Sequence, residues 1–153
     1  MADKPTVKAP EEVKFDSSKD FILILEDSSP NLNILKRILE KCGFGVLAGA
    51  DGKIGVDLLQ KCKTENLKLV AIISDIMMPN MDGHQFLGHV KAQDRFKETP
   101  FVFLTALGDK QNVLEAKKLG VDGYLLKPIT MDKIRAKLKD LFPKRPFPYS
   151  NAS

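Results

Sequence analysis

Five short apolar runs recur along the chain: FILIL (21–25), GVLAGA (45–50), LKLVAIISD (67–75), FVFLTA (101–106) and GYLLK (123–127). Each is short enough for a strand, and FILIL is continuous enough to be buried on both faces. Between them the apolar positions switch to helical spacing. Ser29 is expected to cap the first helix, with Pro30 in its first turn and Leu32, Ile34, Leu35, Ile38 and Leu39 as its inner stripe, before Gly43 and Gly45 end it. Asp51 and Gly52 turn the chain into a second helix marked by Leu58, Leu59 and Cys62. Phe86, Leu87 and Val90 mark a third helix that ends before Pro100. Val113, Ala116 and Leu119 mark a fourth, with Gly120 as its stop. Thr130 caps the fifth, whose inner side holds Ile134, Leu138 and Leu141.

Strand and helix alternating five times, with short connections, predict a parallel sheet covered by helices on both faces. The 153 residues suffice for one such domain with a sizeable core. Residues 1–19, rich in Lys, Glu, Pro and Ser and without periodicity, are expected to be a flexible tail. The domain should span 20–142, followed by an irregular tail over 143–153. A net charge of +4, with both signs mixed along the chain, is too mild to predict nucleic-acid binding. No apolar run reaches membrane-spanning length, and the N-terminus lacks the apolar centre of a secretory signal. Cys42 and Cys62 have no metal-ligand spacing and are expected to be reduced thiols of a cytoplasmic protein.

The chemistry gathers where the apolar runs stop. Strand one ends in Glu26 and Asp27, strand three in Asp75, strand four in Thr105 and strand five in Lys127. In an open α/β sheet, ligands sit beyond the carboxyl ends of the strands, where the strand order reverses. If strands one and three are neighbours, three carboxylates crowd one hollow, and a hard cation with oxygen ligands, Mg²⁺, relieves their repulsion. Lys127 adds a fixed positive charge and Thr105 a hydroxyl donor. Such a set suits a phosphoryl group, with Asp75 as the nucleophile that forms an aspartyl phosphate.

The motifs LILEDSSP, IISDIMMPNMDG, VFLTA and YLLKP resemble those of the receiver domain of two-component response regulators, chemotaxis regulators included. The likeness runs from Phe21 to about Phe142. It implies a flavodoxin-like three-layer fold with five parallel strands in the order 2-1-3-4-5 and five helices. It implies Asp75 as phosphoacceptor and Asp27 as direct metal ligand. Glu26 would act through a water and Met77 through its backbone carbonyl. It implies Thr105 as the switch hydroxyl, Tyr124 as the aromatic switch, and Lys127 as the phosphate-pairing lysine, with a cis peptide before Pro128. The first acid of the family's pair is often Asp; here it is Glu26. Met77 and Leu107, two positions after Asp75 and Thr105, flank the water path in that family. Both are apolar, so slow self-dephosphorylation is expected.

The resemblance implies a stand-alone receiver, phosphorylated by a sensor histidine kinase or a histidine phosphotransfer protein. Its output would be a change of the face built by the fourth helix, fifth strand and fifth helix, read by a downstream protein. Direct DNA binding, membrane insertion and enzymatic turnover of a separate substrate are not expected. A Mg²⁺-dependent phosphohydrolase would place a second acid two residues after its nucleophile, where Met77 stands. A receiver-like module independent of phosphorylation would not need the complete acidic set. A nucleotide-binding fold would need a Gly-rich loop after strand one. His84 and His89 are expected at the surface, Met77, Met78 and Met81 as packing around their loop, and KRPFPYS as a solvated tail.

Overall fold

The computed structural model describes residues 19–106, 114–115 and 117–145. Five strands, β1 (Asp20–Leu25), β2 (Gly45–Gly49), β3 (Lys68–Asp75), β4 (Phe101–Thr105) and β5 (Gly123–Leu126), pair in parallel in the order β2-β1-β3-β4-β5. Four helices are described in full: α1 (Ser29–Lys41), α2 (Gly52–Glu65), α3 (Gly83–Lys91) and α4 (Met131–Leu141). Leu114, Glu115, Lys117 and Lys118 are also helical, and Gly120 follows at φ 86°, as expected of a helix stop. Val113 and Ala116 of the expected stripe, and Leu107, lie outside the described residues. This is the flavodoxin-like order, in which strand order reverses between β1 and β3.

Alternation along β1 explains why its apolar run is unbroken. Phe21, Leu23 and Leu25 face a core completed by Leu59 of α2, by Phe86, Leu87 and Val90 of α3, and by Phe101 and Phe103 of β4. Ile22 and Ile24 face the opposite core, with Leu35 and Leu39 of α1, Val102 and Leu104 of β4, and Ile134 and Leu138 of α4. A strand between two helical layers has no solvent side, so period-two patterning disappears from its sequence.

Several local expectations need correction. Ser28, not Ser29, caps α1: its backbone is extended and its hydroxyl accepts from the Asn31 amide, while Ser29 is already helical. Gly43, at φ 95°, turns the chain out of α1, whereas Gly45 opens β2. Ile34 points outward at 46% exposure, because Leu35, Ile38 and Leu39 already fill the contact with the sheet. Met77 is also exposed, while Met78 and Met81 pack on the core. His84 is only half exposed and sets its ring edge-on to Phe103, at a centroid distance of 5.4 Å.

Beyond α4 the chain folds back onto the amino end of the sheet. Arg145 pairs with Asp20 at the start of β1, and its guanidinium lies 4.2 Å from the centre of the Phe44 ring. Phe142 packs on the same ring.

Candidate functional site

The carboxyl ends of β1 and β3 are adjacent, and each delivers acid to the crevice between them. Glu26, Asp27 and Asp75 place one carboxylate oxygen each within 4.8 Å of one another. Glu26 and Asp75 are buried; Asp27 is exposed. The β1–α1 turn winds around Glu26, whose Oε2 accepts the Ser28 amide at 3.0 Å, while the Ser28 hydroxyl caps the helix that follows. Asp75 Oδ1 accepts the Ile76 amide at 2.8 Å, which leaves Oδ2 facing the crevice.

Lys127 reaches this acidic mouth from just past β5. Its Nζ lies 2.9 Å from Asp75 Oδ2 and 3.0 Å from Glu26 Oε1. The lysine's backbone is fixed by its own amide, which donates to the Thr105 carbonyl at 2.8 Å, and the peptide to Pro128 is cis as expected. Burial opposes the charged ammonium, but the hydrogen bonds and charges of Asp75 and Glu26 outweigh it and hold the Lys127 pKa above the ordinary lysine value. Burial pushes the Glu26 carboxyl up. The Ser28 amide and Lys127 offset this only in part, and the charge of Asp75 adds to it.

The Thr105 side chain is buried at the end of β4, and its hydroxyl donates to the Ala106 carbonyl at 3.3 Å. Tyr124 lies opposite Phe103 in the β4–β5 register, half-buried against the core, and burial raises its phenol pKa. The structure therefore gathers Glu26, Asp27 and Asp75 in one mouth, with Lys127 against Glu26 and Asp75 and Thr105 at the neighbouring strand end. Met77 stands in the loop directly after β3.

The loop from Ile76 to Asp82 is fastened at both ends. The Gly83 amide donates to the Ile76 carbonyl at 2.7 Å, and a Cβ on Gly83 would collide with the Asp75 carbonyl. Asn80, at φ 66°, donates from Nδ2 to Asp51 Oδ2 at 2.7 Å, and the Gly52 amide donates to the Met81 carbonyl at 2.9 Å. Asp51 also caps α2, the role a turn acid is expected to take. The Asp51–Asn80 contact joins residues 29 positions apart and was not visible as a pair in the sequence. The one local signal was Asn in a Pro-Asn turn, a residue that tolerates left-handed backbone.

The donor set fits a hard divalent cation. Three carboxylates converge, and among the described residues their ion pairs come from Lys127 alone. Among the described residues, the enclosed Glu26 Oε1 is compensated by the Lys127 ammonium at 3.0 Å. Oxygen-only ligands and uncompensated negative charge suit Mg²⁺.

Fold and crevice together define a flavodoxin-like protein with a carboxylate-lined mouth at its switch point. Residues 22–139 match the family model of the response regulator receiver domain. The chain is 34% identical over 118 residues to chemotaxis protein CheY1 of Helicobacter pylori, covering 77% of this chain and 93% of that protein. It is 33% identical over 121 residues to a CheY homologue of Campylobacter jejuni, covering 78% and 90%. Among solved structures, CheY4 of Vibrio cholerae superposes with a TM-score of 0.71 at 27% identity, covering 81% of this chain and 99% of that one. The receiver domain of a sensor histidine kinase from Pseudomonas aeruginosa, with a magnesium ion coordinated in its active-site cleft, gives 0.68 at 27% identity, covering 82% and 99%. The chain belongs to the response regulator receiver family.

Proposed function

We propose that this chain accepts a phosphoryl group on Asp75 from a histidine kinase or histidine phosphotransfer protein, with residues 20–142 as the working unit. The carrying observation is the placement of Asp75 Oδ2, 2.9 Å from Lys127 Nζ, in a mouth shared with Glu26 and Asp27. A carboxylate oxygen of Asp75 attacks phosphorus. The P–N bond to the donor imidazole breaks, and its electron pair stays on the ring nitrogen. Glu26, Asp27, Asp75 and the Met77 carbonyl would hold Mg²⁺, which supplies positive charge against the phosphoryl oxygens when bound. Lys127 gives up its contacts with the carboxylates and pairs with a phosphoryl oxygen. The Thr105 hydroxyl leaves the Ala106 carbonyl to donate to another.

That movement of Thr105 opens space beside β4, and Tyr124, one strand over, responds to it. Phosphorylation thereby biases two packings of the β5–α4 face and of the helical residues before Gly120. A partner protein that prefers one packing reads the change. The CheY relatives are chemotaxis proteins, which favours a signalling output by protein contact.

The test is incubation of wild type and Asp75→Asn with a small phosphoryl donor and Mg²⁺, followed by intact-mass measurement. The wild type should gain one phosphoryl group and the variant none. An unmodified wild type would favour a phosphorylation-independent interaction module. Sustained turnover of a phosphomonoester would favour a hydrolase.

A further inference from the structure

We infer that Lys133, in the first turn of α4, is a positioning residue for Lys127. Its ammonium donates to the Leu126 carbonyl at 3.0 Å and to the Pro128 carbonyl at 3.2 Å, the two carbonyls that flank Lys127. With the Lys127 amide held by the Thr105 carbonyl at 2.8 Å, the backbone is fastened on both sides of the residue whose side chain meets Asp75 and Glu26. This inference rests on the role of Lys127 proposed above.

Two observations give this lysine a positional role, although both of its hydrogen bonds are solvent-exposed. A cation in the first turn of a helix faces the positive end of the helix dipole, which disfavours it. Lys133 nevertheless lies there half-buried, with two of its three donors engaged. Secondly, Lys127 ends in a flexible four-carbon stem, so the place of its ammonium depends on how firmly its Cα is rooted. Reaction geometry is sensitive to such roots: a misplacement of about 1 Å can cost about a hundredfold in rate. Lys137, one turn further along α4, supplies an internal comparison, because its amine lies over Gly123, at the far end of β5.

The experiment measures the rate of Asp75 phosphorylation by acetyl phosphate in saturating Mg²⁺, for Lys133→Met, Lys133→Arg, Lys137→Met and Lys127→Ala. It also measures hydrogen exchange at the Lys127 amide without metal. Lys133→Met should slow phosphorylation at least about threefold and speed exchange at Lys127. Lys133→Arg should restore most of the rate, and Lys137→Met should leave it unchanged. In a Lys127→Ala background, Lys133→Met should have no further effect, because residues acting through one another are non-additive. Normal phosphorylation in Lys133→Met, or an equal slowing with and without Lys127, would overturn the inference while leaving the function proposed for Asp75 intact. If wild type itself takes up no phosphate, both fall.

Discussion

Lys127 and Asp75 meet across a strand. Nζ and Oδ2 are 2.9 Å apart, although β4 separates β5 from β3 in the sheet. The lysine spans that gap because its backbone lies just past the end of β5, where the side chain can lean over the mouth. The contact depends on the two strand ends being level, and so on the whole register of the sheet.

Glu26 makes the fold pH-sensitive in a defined direction. Its carboxyl is pushed above the ordinary 4.5, chiefly by burial, so the folded chain keeps its proton to higher pH than the unfolded chain. Stability from this group is complete below that ordinary value and is lost as pH rises through the raised one. In the presence of a chelator, urea titrations should give a declining contribution across that window. Glu26→Gln should flatten the decline. Because a proton and a cation compete for this carboxylate, Mg²⁺ affinity should fall as the solution is acidified. An affinity independent of pH down to the ordinary carboxylate range would contradict this reading.

Gly83 and Gly88 lie in one helix and should respond oppositely to alanine. A Cβ at Gly83 would press into the Asp75 carbonyl and the Phe103 ring, whereas at Gly88 it would meet nothing within 4 Å among the described residues. Gly83→Ala should destabilise by about 1–3 kcal/mol through overpacking. Gly88→Ala should stabilise by up to about 1 kcal/mol through helix propensity. Thermal melts of the two variants decide the matter, and equal effects would be inconsistent with the packing described.

Both cysteines are buried, and desolvation lifts the Cys62 thiol to about 11. Burial raises Cys42 as well. At pH 8 neither should react with a disulfide reagent faster than the chain opens, and both should react at once in denaturant. Fast labelling of native protein would place one of them at the surface.

Arg145 joins an ion pair and an aromatic face at the foot of the sheet. Arg145→Ala should cost about 1 kcal/mol, part of it screened by added salt. A denaturation midpoint equal to that of wild type would show that the contact contributes nothing.

Once formed, the Asp75 phosphate should decay slowly. The exposed Met77 side chain offers no group to orient a water, and the expectation for Leu107 is the same from its sequence. Following the modified mass after donor removal should show persistence over minutes or longer. Loss within seconds would mean that some other group directs the attacking water.

Much of this was legible in the residues themselves. Strands buried on both faces announce themselves as unbroken apolar runs, and the acids, threonine and lysine stand where those runs stop. Contacts that cross the chain left weaker traces. Asp51 reads as a cap from its neighbours, but its grip on Asn80 depends on two loops meeting in space. Lys133 reads as one more charge on a helix, because only the turn of the chain at Pro128 brings two carbonyls under it. Ser28 and Ser29 offered the same capping chemistry, and backbone direction chose between them. Ile34 continued a helical stripe already wide enough without it.

The clasp between Asp20 and Arg145 fixes where the described chain enters and leaves: side by side, at the pole opposite Asp75. A short linker could therefore join those points and let new ends be opened elsewhere, as in a circular permutant. For the same reason, an attachment at either place, such as a surface anchor or a fluorescent label, starts on the side remote from the carboxylates.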